Sequence, residues 1–255
     1  MARVRDRTPI VGSDGSRASG VRRTTPVVYL PTWSRLIIAS KQRAPAGSGG
    51  DFFEVVQHRD GFVSTFLADV RGNGPPAAAH THGMRWVLRQ RLAHGGSPAE
   101  LLGALNDWLV EQRAPDLFVT AICIRVSPAN GRVEIASAGH LGPFVKRASG
   151  HAEEVPMAPG TALGIVTEQF YPQIEIPLEP EDAIVMCTDG ITDRLATDDD
   201  PLGAAAMVTR LAAASVGAES VCAAMLGPDI PVSHDATVVV VQLPRRHRRA
   251  STPIR

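Results

Sequence analysis

Short apolar runs rich in β-branched residues, separated by Gly, Pro, Asn and Asp, dominate the middle of the chain. The runs Arg35–Ser40, Phe52–Gln57, Phe62–Asp69, Phe118–Val126, Val133–Ala138, Pro143–Lys146, Tyr171–Ile176, Ala183–Thr188 and Ala236–Leu243 predict strands. Arg59-Asp60-Gly61 and Pro128-Ala129-Asn130-Gly131 supply turn residues between neighbouring runs. Helical spacing takes over in four places. Pro75-Pro76 opens Ala77–Ala93, with Met84, Val87, Leu88 and Leu92 as its apolar positions. Ser97 followed by Glu100 makes a capping box for a helix through Glu111, whose stripe is Leu101, Leu102, Leu105, Trp108 and Leu109. Leu202–Ser215 and Ala218–Leu226 are the other two. Two helices in succession between groups of strands do not suit a simple βαβ winding. They suit an α+β fold in which two antiparallel sheets pack together and helices cover the outside.

The non-periodic residues 1–26 read as a flexible tail, and residues 244–255, which include RRHRR, as a basic one; residues 27–243 form the expected domain. Composition then narrows the function classes. The 255 residues carry 26 basic and 26 acidic side chains, so charge balance argues for no nucleic-acid partner. No run reaches the roughly 18 apolar residues of a membrane span, and the basic N-terminus lacks a signal-peptide core. A soluble, cytoplasmic protein with no membrane association is expected. Cys123, Cys187 and Cys222 are an odd number without paired spacing, which fits neither a disulfide framework nor structural zinc. No arginine follows any of them at six positions, as a cysteine phosphatase would need.

The candidate chemistry is carboxylate. Asp51, Asp69, Asp189 and Asp235 each sit where an apolar run starts or stops. One such aspartate is ordinarily a turn former or helix cap. Four of them, two beside glycine turns, point to a shared site. Asp51 and Asp69 bracket a predicted hairpin, so they would lie across from each other on adjacent strands about 4.8 Å apart. Carboxylates held together repel unless a cation or proton lies between them, and a hard divalent ion with oxygen ligands is the expected remedy. A metal-dependent hydrolase follows.

These segments resemble the SpoIIE-type branch of the metal-dependent PPM serine/threonine phosphatases. Gly49–Val55 (GGDFFEV) is similar to that family's GGDFYDV. Ala68–Ala78 (ADVRGNGPPAA) is similar to GDVSGKGVPAA. Phe118-Val119-Thr120 matches FVT, Ala138-Gly139-His140 with Gly142-Pro143 resembles NAGHNPP, and Leu163-Gly164 matches PLG. Thr188–Thr192 resembles TDGVT, and His234–Thr237 resembles the closing DDIT. The resemblance runs in the family's order from about Arg35 to Leu243. It implies a four-layer α-β-β-α sandwich with two divalent ions, Mn²⁺ or Mg²⁺, at one end of the sheets. It implies phosphoserine or phosphothreonine protein substrates, typically an anti-anti-sigma (STAS-type) regulator of sigma-factor release, hydrolysed by a metal-activated water. Asp69 would bridge the two ions. Asp51 and the Val70 carbonyl would serve one ion, and Asp189 with the closing acidic position the other.

The chain departs from that pattern at His234, where the family usually has an acid. Adjacent strand residues point to opposite faces, so one of His234 and Asp235 is expected to face the metals, and the sequence leaves both placements open. A catalytically weak relative acting as a protein-binding regulator and a metal-dependent small-molecule phosphatase are the competing readings. Few residues precede the first predicted strand, so any regulation is expected through partners or through ordering of the catalytic site rather than an attached sensor. His140 is a candidate acid. Cys187 reads as a buried strand thiol, Arg43 as a solvated arginine, and Asp198–Asp200 as a solvated loop leading into a helix at Pro201. His80 and His82, two apart on a helix, are not expected to share a metal.

Overall fold

The computed structural model describes residues 10–12, 36–43, 50–71, 74–112, 117–158, 160–227 and 234–245. Gly49, the turn residues Gly72 and Asn73, and most of both expected tails lie outside these. The strands are β1 (Ile10–Gly12), β2 (Ile37–Arg43), β3 (Asp51–Gln57), β4 (Val63–Val70), β5 (Val119–Val126), β6 (Arg132–Ala138), β7 (Phe144–Lys146), β8 (Ala152–Glu154), β9 (Gln173–Pro177), β10 (Ala183–Cys187) and β11 (Ala236–Gln242). The helices are α1 (Gly74–Ala93), α2 (Pro98–Glu111), α3 (Asp189–Thr192), α4 (Ala204–Ala213) and α5 (Ala218–Met225). One sheet has six strands in the order β1-β3-β4-β5-β6-β9. The other has five, in the order β2-β11-β10-β7-β8, and every neighbouring pair in both is antiparallel.

Strand alternation sorts the core into three interlayers, which makes the molecule the expected α-β-β-α sandwich. Phe53, Val55, Val63, Leu67, Ile122, Ile124, Val133 and Ile135 point inward from the first sheet. They meet Ile38, Val145, Ile184, Met186, Val239 and Val241 from the second. Their neighbours in sequence point outward. Phe52, Val56, Phe66, Ala68 and Cys123 pack under α1 and α2. Val185, Cys187, Val238 and Val240 pack under α4 and α5. A one-residue slip in any of these strands would exchange its two faces, so burial on both sides fixes the register.

Local chemistry sets the element ends. Ser97 Oγ accepts from Glu100 N while Glu100 Oε2 accepts from Ser97 N, the capping box read from the sequence. Trp108 is only partly buried and lies over Gly83, whose missing side chain makes room for the ring. On the outer face of β3, fully buried Glu54 accepts from Arg85 Nε at 2.8 Å and from Arg89 Nη2 at 2.9 Å, tying α1 to the sheet. The three cysteines are free and buried. Burial pushes the thiols of Cys187 and Cys222 up to about 12.

Four elements depart from the sequence reading, one of them the one-turn helix α3, where none was expected. Ile10–Gly12, inside the stretch expected to be a tail, pairs with β3 at the sheet edge. Ala152–Glu154 forms a strand where none was expected. Strands of three residues are too short to show a period. The helix expected from Leu202 begins at Ala204 because Asp200 caps it, accepting from Ala204 N at 3.0 Å and Ala206 N at 3.1 Å. Asp200 is therefore a capping residue rather than part of a merely solvated loop.

Candidate metal centre

At one end of the sandwich the inward-facing columns change from aliphatic to polar. Asp51 precedes Phe53, Asp69 follows Leu67, Thr120 precedes Ile122, Thr188 follows Met186, and Asp235 and Thr237 precede Val239. All belong to the inner-face parity of their strands. Asp51 and Asp69 are directly paired across β3 and β4, and Asp69 is paired with Thr120 across β4 and β5. Opposed residues of an antiparallel ladder share a face, so both carboxylates look toward the second sheet.

The second sheet meets them with donors. Asp51, 5% exposed, accepts at Oδ2 from the hydroxyls of Thr188 and Thr237, each at 2.7 Å. Thr188 Oγ1 in turn accepts from Thr237 N at 2.9 Å. Asp235, 7% exposed, accepts at Oδ2 from Gly50 N at 2.7 Å and Asp51 N at 3.4 Å. Gln42 Nε2 donates to the Asp51 carbonyl at 2.8 Å. Two glycines permit the close approach. A Cβ on Gly50 would stand 2.6 Å from the Val70 carbonyl oxygen and 3.0 Å from Asp69 Oδ1. A Cβ on Gly190 would overlap the Asp235 carbonyl oxygen.

Register also separates Asp235 from His234. Asp235 shares the parity of Thr237 and points into the sandwich beside Asp51. His234 shares the parity of Ala236 and lies at the rim, half-exposed. There its Nδ1 is 3.7 Å from Asp189 Oδ1 and its Nε2 is 3.5 Å from Asp193 Oδ2. Asp189 opens α3 and is more exposed than the inner aspartates. The site thus has an inner group of Asp51, Asp69 and Asp235 and a rim of Asp189, Asp193 and His234. Val70 contributes its backbone carbonyl on the edge of the Gly50 notch.

Burial first, and mutual repulsion after it, raises these groups. Burial, then the Asp69 charge, holds the Asp51 carboxyl well above the usual range, against the pull of the two threonine hydroxyls. Burial, then Asp189 and Asp235, pushes Asp69 up to about 6, with His234 opposing. Burial and Asp193 raise Asp189. Asp235 Oδ1 is buried and has no hydrogen-bond partner. Among the described residues no group of three or more His, Cys, Asp or Glu side chains is placed to hold a metal ion by itself. A cation here would therefore rest on pairs of carboxylate oxygens completed by a backbone carbonyl and water. Hard oxygen donors, an orphaned carboxylate oxygen and a notch that a methyl group would fill all fit a small hard divalent ion. His140 is otherwise engaged. Its Nε2 donates to the Cys187 carbonyl at 3.1 Å, its Nδ1 accepts from Thr120 Oγ1 at 3.0 Å, and burial holds it down to about 4. It is a neutral strap between the sheets rather than an acid.

The sequence reading named Asp51, Asp69, Val70, Asp189, His234 and Asp235, and all six lie at this end of the molecule. It assigned no role to Gly50, Asp193, Thr188 and Thr237. Strand parity is the signal that finds the threonines, since both continue inner-face columns that end in aspartates. Arg43, expected to be solvated, donates from Nη1 to the Gly227 carbonyl at 3.0 Å.

Comparison with known proteins identifies the family and the fold. Residues 59–244 match the model of the family described as stage II sporulation protein E (SpoIIE). The phosphoserine phosphatase RsbU of Bacillus subtilis (strain 168) is 26% identical over 176 residues, which are 69% of this chain and 52% of RsbU. The chain spans about half the length of that curated relative. The crystal structure of the RsbU and RsbW domains of a Mycobacterium tuberculosis protein superposes with a TM-score of 0.73 at 23% identity, over 89% of this chain and 65% of that one. The structure of RsbX in complex with magnesium superposes with a TM-score of 0.63 at 15% identity, over 81% and 94% of the two chains. At these identities the structures establish the fold alone. Among the described residues no helix is long and apolar enough to cross a membrane.

Proposed function

We propose, since the chain belongs to the SpoIIE family, that it is a metal-dependent phosphoserine/phosphothreonine protein phosphatase acting on a STAS-type anti-anti-sigma regulator. The single observation that carries the chemistry is the convergence of Asp51, Asp69 and Asp235 from both sheets, with Asp235 Oδ1 buried and unpartnered. Buried carboxylates that repel one another are a site waiting for positive charge. The substrate class rests on family membership and on the relative named a phosphoserine phosphatase.

Asp51, Asp69, Asp235 and the Val70 carbonyl would hold one or both of two divalent ions, Mn²⁺ or Mg²⁺, and Asp189 would complete the outer coordination. Such ions supply the charge that offsets a phosphomonoester dianion and acidifies an attacking water. The protein's own part is to fix the donors. Asp235 binds the Gly50 and Asp51 amides and so locks the start of β3 against β11. His234 neutralises the rim carboxylates of Asp189 and Asp193 when protonated. His140, with both ring nitrogens engaged, orients Thr120 and the end of β10 and does not transfer the leaving-group proton.

The test is hydrolysis of p-nitrophenyl phosphate with Mn²⁺, followed by incubation with phosphorylated STAS proteins of the same genome read by intact mass. Turnover abolished by chelator and by Asp69→Ala, with loss of one phosphate from a STAS protein, is the expected result. Binding of a STAS protein without turnover under any divalent ion would make the chain a non-catalytic regulator. Turnover of free nucleotides alone would make it a small-molecule phosphatase.

A further inference from the structure

The hydrogen bonds around Asp51 divide its two carboxylate oxygens between different tasks. A carboxylate oxygen offers two in-plane lone pairs. At Oδ2 both are occupied, one by Thr188 Oγ1 and one by Thr237 Oγ1, each at 2.7 Å. These distances are those of well-formed O–H···O bonds. The donor sense of Thr188 is reinforced from behind, because Thr237 N, which can only donate, binds Thr188 Oγ1 at 2.9 Å. Both threonines are fully buried, so no water competes for either hydroxyl. Thr237 lies in β11 and Thr188 directly follows β10, both of the second sheet, whereas Asp51 belongs to the first. The carboxylate is thus gripped from across the sandwich while its own backbone is held by Gln42 and Asp235.

We infer that Thr188 and Thr237 are positioning residues that saturate Asp51 Oδ2 and thereby dedicate Oδ1 to the divalent cation. The inference rests on the phosphatase reading above and adds what that reading lacks, the device that sets which Asp51 oxygen is offered and at what angle. A carboxylate with both oxygens available can chelate or rotate. One pinned through Oδ2 can present a single oxygen in a single direction. Outer hydrogen-bond partners of ligating groups commonly govern affinity by about 10- to 100-fold, and the hydroxyl pair occupies that position here.

The experiment compares wild type, Thr237→Val and Thr237→Ser in the full chain, with Mn²⁺ as the probe. Direct binding is read by the loss of the free-ion signal in electron paramagnetic resonance, and folding by urea denaturation in chelator. Valine keeps the shape and removes the hydroxyl; serine restores it. The expected result is Mn²⁺ binding weakened about tenfold or more in Thr237→Val, with a folded transition retained, and recovery to within about threefold in Thr237→Ser. A merely structural role predicts a lowered urea midpoint with unchanged Mn²⁺ affinity of the folded protein, and that outcome overturns the inference while leaving the phosphatase reading intact. Should Thr237→Val fail to fold, Thr188→Val decides: Mn²⁺ affinity weakened about tenfold supports the inference, and unaltered affinity in that folded variant refutes the saturation of Oδ2. Absence of Mn²⁺ binding by wild type overturns the phosphatase reading and this inference together.

Discussion

Replacing Asp69 by asparagine keeps the shape of the side chain and removes a charge that the metal-free protein holds against its neighbours. The carboxyl is raised from its ordinary 3.8 to about 6. A difference of about 2 units corresponds to about 3 kcal/mol at 1.36 kcal/mol per unit. Asp69 is only half-buried, so solvent screening reduces the measurable effect to about 1–2 kcal/mol. The folded state binds the proton more tightly than the unfolded chain does. Wild type therefore escapes the penalty below pH about 4 and carries all of it above pH about 6. Asp69→Asn removes it throughout. In chelator, urea denaturation followed by tryptophan fluorescence should give equal stabilities at pH 4 and an advantage of about 1–2 kcal/mol for the variant at pH 7.5. In thermal terms that is about 2–8 °C for a domain of this size. Saturating Mn²⁺ should reverse the order, since an ion at a hundred times its dissociation constant adds about 2.7 kcal/mol to wild type and little to the variant. A variant no more stable than wild type at pH 7.5 in chelator would refute the claim that the site stores repulsion.

Gly50→Ala puts a methyl group 2.6 Å from the Val70 carbonyl and 3.0 Å from Asp69 Oδ1; Mn²⁺ affinity and phosphatase turnover should fall by at least about tenfold, read by titration and by p-nitrophenyl phosphate hydrolysis. Glu54→Ala strands Arg85 and Arg89 beside the outer face of β3, on the opposite face of the strand from Asp51, and should cost about 3–5 kcal/mol in urea denaturation, while Mn²⁺ affinity of the folded fraction stays unchanged.

Much of this architecture is legible in the chain. The inner-face columns of Phe53, Val55 and of Val239, Val241 alternate with outer-face residues, and the Ser97–Glu100 box announces α2. Asp51 and Asp69 could be paired because a hairpin fixes its own register. Long-range register is what the sequence withholds. Whether Asp235 or His234 enters the sandwich depends on how β11 aligns with β10, a pairing between segments about fifty residues apart. Thr188 and Thr237 escaped notice because a threonine in an apolar run reads as a β-former, and its hydroxyl acquires a role only when the opposite sheet supplies Asp51. Asp193 carries no motif signal, and only the turn of α3 brings it near His234. Asp200 looked solvated because its cap bonds skip Gly203, which takes a left-handed conformation.

The enclosed thiols carry a practical consequence. Cys187 and Cys222 stay protonated far above physiological pH, and Cys123 is sealed under α2. Alkylating agents and peroxide need a thiolate in reach, so they should modify this protein only when a helical layer lifts from its sheet or the chain unfolds. Its three cysteines are thus a built-in clock for unfolding, and any ligand that slows their labelling reveals itself as one that holds the helical layers onto the sheets.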